Sequence, residues 1–348
     1  MARRFTTVKD IAEAAVVSAT TVSYVLNQNP NQSISAETTQ RVLDAARSLN
    51  YIPHNAARIM RNEKSCCVGI VMNRSFQIQR FSYVAAGIMD VLNWQNYRAL
   101  LCGGKEKGTL YAAYLEDYFR YQLDGLIFIC DQNEGPDREA ERVIVKNQIP
   151  MVVFDSLEQR GSFGTVDFDY YEGTRGIVQS LIGPATRRLL YLRPAYENRQ
   201  ELLREQAVRD VANSHPQISL EIMKKTPVNK IQKAADRAVY FDVFIQAGLR
   251  ERLKKMREED IVFSDWALWL PYVKDEMERL GVSFRLGSPA QAEEAGWGNR
   301  KVAFGDYQNF RAGQECAELL MEMLEPGMEK KPGMKHKTLP IRVITKNI

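Results

Sequence analysis

The stretch Thr7–Asn27, with the sequence TVKDIAEAAVVSATTVSYVLN, predicts two short helices joined by a tight turn. Thr7 and Ser18 are of the residue types that cap helix amino termini, and Asp10 stands three positions after Thr7, as in a capping box. Apolar residues recur at helical spacing after each cap: Val8, Ile11, Ala12, Ala15, Val22, Val25 and Leu26. Helices this short are marginal alone, so we expect them to pack on a third helix that begins at Ser35.

Beyond Cys66 the pattern changes to short apolar runs that alternate with amphipathic stretches. The runs CCVGIVM, GLIFIC, PMVVFD, RLLYL and DIVFSD are typical of buried strands, and the amphipathic stretches include Phe81–Trp94 and Ala234–Lys255. This alternation predicts a parallel α/β architecture with ligands near the carboxyl ends of the strands. The predicted fold is therefore an all-α helix-turn-helix headpiece followed by an α/β core of two parallel-sheet subdomains.

Composition narrows the class of protein. The chain has 348 residues, of which 45% are hydrophobic, enough for a large core in two or three domains. It contains no run of eighteen apolar residues and no apolar segment at its start, so we expect a cytoplasmic protein without membrane spans. The net charge of +4 is too small for a general polyanion binder, but the residues through Lys64 carry eight basic against five acidic side chains.

Residue patterns for catalysis and metal binding are weak. The five cysteines form no CxxC pair and mostly sit in strand-like runs, which indicates reduced core thiols. The three histidines have no metal or triad spacing, and no G-x-S-x-G, Walker or G-x-G-x-x-G motif occurs. We therefore expect no enzyme activity, no metal and no cofactor.

The second predicted helix has the residues that a DNA-reading helix needs. The major groove admits one helix while its neighbour braces it across the backbone. Ser18 and Thr21 are able to donate to phosphates, Ala19 and Thr20 would face base edges, and Tyr24 lies about one turn along. The spacing alone leaves a second interpretation open, namely an ordinary helical cap on an α/β protein.

A resemblance favours the DNA-reading interpretation. The stretch TVKDIAEAAVVSATTVSYVLNQNP, with SAETTQRVLDAARSLNYIPHNAARIMR after it, resembles the headpiece of the lactose-repressor (LacI/GalR) family of bacterial regulators. The α/β remainder is similar to the periplasmic-binding-protein-like core of that family. The resemblance implies a dimeric, sequence-specific transcription regulator, usually a repressor, that binds a near-palindromic double-stranded DNA operator.

The resemblance also implies roles for particular residues of the headpiece. Base reading in the major groove falls to Ala19, Thr20 and Tyr24, and phosphate contact to Thr7, Ser18, Thr21, Ser23 and Asn27. Ala57 and Met60 stand where a hinge helix enters the minor groove, with Met60 in place of the usual Leu wedge.

Three headpiece positions depart from the family pattern. Val16 replaces the usual turn Gly, and a β-branched residue resists positive φ. Tyr24 stands where Arg is common, which puts guanine reading there in doubt. His54 replaces Asn after the hinge proline.

The family core implies a small effector in the cleft between subdomains, of the sugar, sugar phosphate or nucleobase class. The matching positions are Phe81, Asp169, Arg204 and Asp265, and an Arg with two Asp suits vicinal hydroxyls. Neighbouring motif residues have changed, including Tyr170 in place of Asn. Two alternatives therefore stay open: control by a protein partner or by no ligand, and a solute-binding protein or enzyme with a helical cap.

We predict four segments. The headpiece covers residues 1–52, and the hinge helix with its linker covers 53–64. The first core subdomain comprises residues 65–165 with about 300–325, and the second comprises 166–299 with about 326–348.

Overall fold

The structure, a computed structural model, describes residues 6–26, 32–51, 64–72, 78–103, 112–130, 133–158, 161–195, 197–225, 248–290, 297–325 and 335–348. The chain divides into two compact units, Met1–Ser65 and Cys66–Ile348. Within the described ranges, no helix is long and apolar enough to span a bilayer.

The first unit contains the three predicted helices, α1 (Val8–Ala15), α2 (Ala19–Leu26) and α3 (Ala36–Ser48). Helix α1 begins with the predicted capping box, in which Thr7 and Asp10 each accept from the other's backbone N–H. The Ser35 hydroxyl accepts from the Thr38 N–H at 3.2 Å and caps α3. A small apolar core joins the helices: Ile11, Ala15, Val22, Val25, Val42, Ala45 and Ala46. The packing supplies the stability that each short helix lacks.

The second unit contains two six-stranded sheets among its described residues. The strands are β1 (Cys67–Met72), β2 (Arg98–Cys102), β3 (Gly125–Ile129), β4 (Met151–Phe154), β5 (Gly164–Phe168), β6 (Arg188–Pro194), β7 (Ser219–Lys225), β8 (Ile261–Ser264), β9 (Arg285–Ser288), β10 (Val302–Asp306), β11 (His336–Leu339) and β12 (Arg342–Lys346). The orders are β11-β5-β4-β3-β1-β2 and β12-β10-β9-β8-β6-β7. All neighbouring pairs are parallel except β10 with β12, so the predicted architecture is confirmed with one antiparallel edge.

Helices cover both sheets. They are α4 (Gln79–Trp94), α5 (Ala113–Arg120), α6 (Arg138–Lys146), α7 (Tyr170–Leu181), α8 (Arg199–Asn213), α9 (Arg250–Leu253), α10 (Leu270–Leu280) and α11 (Asn309–Leu324). The five predicted apolar runs all form strands, and α4 confirms the Phe81–Trp94 prediction. The predicted helix Ala234–Lys255 lies outside the described residues through position 247, and Arg250–Leu253 is helical.

The sheets divide the chain differently from the predicted subdomain boundaries at two places. Strand β10, at residues 302–306, belongs to the second sheet rather than the first, and β11, at 336–339, belongs to the first rather than the second. The chain crosses between sheets after Phe168, after Asp306 and after Leu339. Sequence pattern identifies a strand but not its partner, because pairing joins distant residues.

Candidate functional site

Helix α2 is anchored by one face and exposed at its start. Val22 and Val25 are buried in the headpiece core, whereas Ser18, Ala19 and Thr20 are exposed. Thr21, Ser23 and Tyr24 are half-buried. The first turn of α2 is therefore rigidly held and open to a partner, the arrangement that a groove-reading helix requires.

The hydroxyls of Ser18 and Thr21 form a local pair. The Ser18 oxygen accepts from the Thr21 N–H at 3.0 Å and lies 2.8 Å from the Thr21 hydroxyl oxygen. Each hydroxyl carries one hydrogen, and only one of the two is needed between the oxygens. The other hydrogen is left to donate to an acceptor such as a phosphate, beside the positive end of α2.

Thr7 is engaged differently. Its hydroxyl donates to the Asp10 carboxylate at 2.8 Å, and its N–H donates to the same oxygen at 2.7 Å. Phosphate contact by this hydroxyl would require it to turn away from Asp10. The remaining headpiece predictions, Asn27, Ala57, Met60 and the departure at His54, lie outside the described residues.

Val16 ends helix α1 in a left-handed conformation, with φ 56° and ψ 50°. The Val16 N–H donates to the Ala12 and Glu13 carbonyls, as in an ordinary left-handed helix cap. The side chain is 86% exposed, so no packing compensates for the conformation. The turn keeps the geometry that Gly favours and carries the strain of a β-branched residue.

The core brings charged residues together where the chain passes between the two sheets. Arg80, on α4, donates to Asp155 at 2.6 Å and to the Tyr170 hydroxyl at 3.0 Å. Tyr170 in turn donates to the other oxygen of Asp155 at 2.7 Å. Asp155 directly follows β4 and Tyr170 begins α7, so this triad links the first sheet to the second subdomain.

A second guanidinium lies beside this triad. Arg204, on α8, donates to the Tyr307 hydroxyl at 2.6 Å and to Glu201 at 3.1 Å. Its guanidinium carbon lies 5.0 Å from the centre of the Tyr170 ring, a cation–π contact. Burial raises the pKa of Tyr170 well above its ordinary value, and it raises that of Tyr307 as well, so both phenols are uncharged.

Asp265 completes the cluster from the end of β8. Its carboxylate accepts from the Tyr191 hydroxyl at 2.6 Å, and the residue is 2% exposed. We call the set the cleft cluster, and its members are Arg80, Asp155, Tyr170, Tyr191, Glu201, Arg204, Asp265 and Tyr307.

The four predicted effector residues fall into different environments. Arg204 and Asp265 lie near enough to interact electrostatically within the cleft cluster. Phe81 packs in the apolar core at 9% exposure, and the Arg80 guanidinium lies 5.8 Å from its ring centre. Asp169 accepts from the Glu172 N–H at 2.9 Å and caps α7.

Sequence reasoning missed most of the cleft cluster, including Arg80, Asp155 and Glu201. One signal was available for Asp155. It ends the apolar run PMVVFD in the same way that Asp265 ends the run DIVFSD. Side chains at the carboxyl ends of parallel strands converge on one edge, where ligands bind. Arg80 and Glu201 lie on helices and have no comparable local signal.

A cavity of about 580 Å³ opens beside the cleft cluster, and Asp169 lines it together with Tyr171, Arg199, Leu203 and Thr338. The residues come from both subdomains, and the volume falls within the range of roughly 300–1,000 Å³ typical of small-molecule sites. Among the described residues, no group of three His, Cys, Asp or Glu side chains is placed to hold a metal ion.

Comparison with known proteins agrees with both units. Residues 7–54 match the family described as bacterial regulatory proteins, lacI family. The chain is 28% identical over 186 residues to catabolite control protein A of Priestia megaterium, a match that covers 53% of this chain and 54% of that protein. It is 29% identical over 149 residues to the HTH-type transcriptional repressor PurR of Mannheimia succiniciproducens, covering 43% of each. The chain thus spans about half the length of the curated relatives it matches.

Solved structures extend the likeness in fold to the whole chain. The lac repressor dimer bound to operator and the anti-inducer ONPF superposes with a TM-score of 0.74 at 16% identity and covers 99% of both chains. A complex of the transcriptional regulator CelR with cellobiose gives 0.60 at 15% identity, covering 98% of this chain and 99% of that one. At these identities the likeness shows the fold.

Fold and site together give a helix-turn-helix headpiece followed by a periplasmic-binding-protein-like core. The chain's headpiece matches the lacI family of bacterial regulatory proteins over residues 7–54. Its named relatives are regulators and not enzymes, in agreement with the expectation from sequence.

Proposed function

We propose that this protein is a sequence-specific transcription regulator, acting as a repressor, that binds a near-palindromic DNA operator as a dimer. The observation that carries the proposal is the exposed first turn of α2 on buried Val22 and Val25. Two such helices would read successive major-groove half-sites. The operator-bound dimer of the lac repressor, which shares this fold, supports the same assembly here.

In this proposal Ala19, Thr20 and Tyr24 read base edges. Ser18 and Thr21 contact phosphates through the hydroxyl hydrogen that their pair leaves over. Ser23 joins them, while Thr7 contributes only if its hydroxyl leaves Asp10. Asn27 is proposed as a further phosphate contact, and Ala57 and Met60 as the minor-groove hinge, on the resemblance alone.

Selection of bound duplexes from a random pool tests the DNA-binding proposal. We expect the full-length chain to enrich a near-palindrome, and Thr20→Val to change the preferred base at one position in each half-site, because the substitution removes a hydroxyl and keeps the shape. Thr345→Val, the same substitution at an exposed position of β12 outside the cavity, should leave the operator unchanged. An operator preference shared by all three proteins would remove Thr20 from the reading surface, and no enrichment would contradict the proposal.

We further propose that a small polar effector, most simply a sugar or sugar derivative, binds in the core and controls DNA affinity. The cavity beside Asp169 and Arg199 supports it, since it is of suitable size and offers a carboxylate and a guanidinium. Calorimetric titration with sugars, sugar phosphates and nucleobases should find one binding class. Asp169→Asn keeps the helix cap and should weaken ligand binding, whereas Asp137→Asn, at the cap of α6 and outside the cavity lining, should leave ligand binding unchanged.

A second candidate is control by a protein partner, or by no ligand. Much of the hydrogen-bonding capacity of Arg204 and Asp265 is taken by Glu201, Tyr307 and Tyr191 of the chain itself, which favours this alternative. Failure of every small molecule to bind, with operator binding intact, would support it over the effector.

A further inference from the structure

Two carboxyl groups of the cleft cluster lie against each other inside the core. Glu201 comes from α8 and Asp265 from the end of β8, and each residue is 2% exposed. The two side chains are within hydrogen-bonding reach of one another. Carboxylates so close and so buried are rarely both ionised, because their buried surroundings screen the repulsion between the two charges poorly.

Each of the two carboxyl groups accepts a hydrogen bond at one oxygen and has no donor at the other. Glu201 Oε1 accepts from Arg204 at 3.1 Å, and Asp265 Oδ2 accepts from the Tyr191 hydroxyl at 2.6 Å. In the part of the chain that the structure describes, no hydrogen-bond donor reaches Glu201 Oε2 or Asp265 Oδ1. Two ionised carboxylates have only acceptors to offer, so a hydrogen bond between these two side chains needs a hydrogen of its own.

The charge of the surrounding groups leads to the same requirement. Arg204 on α8 and Tyr191 on β6 interact with the pair directly. The other charged and titratable groups of the cleft cluster lie against Arg204 or against Tyr170: Arg80 on α4, Asp155 after β4, Tyr170 on α7 and Tyr307 after β10. Burial holds the pKa of each tyrosine above its ordinary value, so the phenols are uncharged. The cleft cluster then contains two guanidinium groups and three carboxyl groups, and one added proton makes the cluster neutral. An uncompensated buried charge is strongly unfavourable.

We propose that Glu201 and Asp265 bind one proton between Oε2 and Oδ1, and that this proton is a built-in ligand which makes folding of the core pH-dependent. Burial raises the pKa of Asp265 well above its ordinary value, and the neighbouring Glu201 raises it further, against the opposing effects of Arg204 and Tyr191. The site concerns the core alone, and it stands whether or not the headpiece binds DNA.

The sign of the effect follows from the direction of the shift. The folded core holds a proton that the unfolded chain releases above the ordinary pKa of an aspartate, about 3.9. The stabilisation from the pair is therefore complete below that pH and is lost as pH rises through the folded pKa of the pair. In that interval one released proton changes the unfolding equilibrium constant tenfold for each pH unit.

Urea unfolding of the full-length chain across pH tests the site. Glu201→Gln and Asp265→Asn each replace one carboxyl group with an amide. The amide N–H can donate to the remaining carboxylate without a titrating proton. We expect the unfolding constant of the wild type, divided by that of either variant, to rise about tenfold per pH unit above about pH 4. Asp260→Asn is the matched control, because Asp260 is 1% exposed but accepts backbone N–H groups of Arg187, Arg188 and Arg257. Its ratio should not follow pH in this way.

Infrared spectroscopy gives a readout that needs no folded variant. The wild type at neutral pH should show the carbonyl stretch of a buried protonated carboxyl group, and ¹³C-labelled aspartate should shift it where the proton resides on Asp265. Labelled glutamate should shift it where the proton resides on Glu201. Absence of such a band, or an unfolding ratio for Glu201→Gln and Asp265→Asn that is flat with pH, would overturn the proposal.

Discussion

Gly87 of α4 and Gly313 of α11 lie at the crossing of their two helices, and each lies against the backbone of the other helix. A β-carbon on Gly87 would come 1.9 Å from the Phe310 carbonyl oxygen, and one on Gly313 would come 2.0 Å from the Val84 carbonyl oxygen. Helix α11 also packs on strands β3, β4 and β5, so this crossing joins a late segment of the chain to the first sheet. The glycines allow the two backbones to approach as closely as they do.

Gly87→Ala is therefore expected to destabilise the core by about 3 kcal/mol, at the upper end of overpacking costs, because the obstructing atoms belong to a backbone that cannot turn aside. Urea unfolding followed by far-ultraviolet circular dichroism measures the change. Gly161→Ala is the control, since its β-carbon would meet nothing within 4 Å. Equal stability of the two variants would show that α4 and α11 can separate at little cost.

Val16→Gly should stabilise the headpiece by about 1 kcal/mol, since Gly relieves a left-handed conformation that costs roughly 1–2 kcal/mol in other residues. The side chain is 86% exposed, so little packing is lost. Hydrogen exchange of α1 and α2 amides in the full-length chain would report the gain as slower exchange. Ala14→Gly, at an exposed helical position of α1, should do the opposite.

The pair of Arg80 and Asp155 offers a test of the cleft cluster. Arg80→Met keeps an unbranched apolar stem but leaves the buried Asp155 carboxylate without its cation, and we expect a loss of about 2–3 kcal/mol in unfolding free energy. Adding Asp155→Asn should recover part of that loss in a double-mutant cycle.

Arg175→Met supplies the surface comparison for that cycle. Its pair with Glu172 has the same kind of geometry, at 2.9 Å, but both side chains are largely solvated. Its loss should stay below about 1 kcal/mol. Similar losses at Arg80 and Arg175 would mean that burial adds nothing to the Asp155 pair.

Glu205 should make the core sensitive to acid, in the opposite direction from the Glu201–Asp265 pair. Burial raises its pKa, but hydrogen bonds from Arg209, Lys224 and Arg193 outweigh burial and hold the pKa at about 2. A depressed pKa gives a stabilisation that is present above the unfolded pKa of about 4.3 and lost as pH falls through about 2, on the order of 3 kcal/mol in all.

Glu205→Gln should remove this contribution. It should also remove the ion pair between Glu205 and the fully buried Arg193. The difference in unfolding free energy between the wild type and Glu205→Gln should therefore be large at pH 7 and shrink toward pH 2. A difference that is constant with pH would contradict the assigned role. Glu251→Gln, at an exposed pair with Lys254, is the control.

Local order in the headpiece was predictable because its determinants are local. Thr7 with Asp10 and Ser35 with Thr38 are three residues apart, and the buried valines of α2 follow at helical spacing. The strand runs of the core were predictable for the same reason, since burial of both faces selects continuous apolar segments. The burial of Val22 and Val25 then determines which residues of α2 are exposed.

The chain by itself thus determined the three capped helices, the positions of five of the twelve described strands and the family that its headpiece matches. Only the tertiary structure decided which sheet takes β10 and β11, and which charges meet in the cleft. Arg80 and Asp155 are 75 positions apart, Tyr191 and Asp265 are 74 apart, and Arg204 and Tyr307 are 103 apart. Their meeting depends on the pairing of distant strands and on the packing of α11 against α4, and no short-range pattern encodes either.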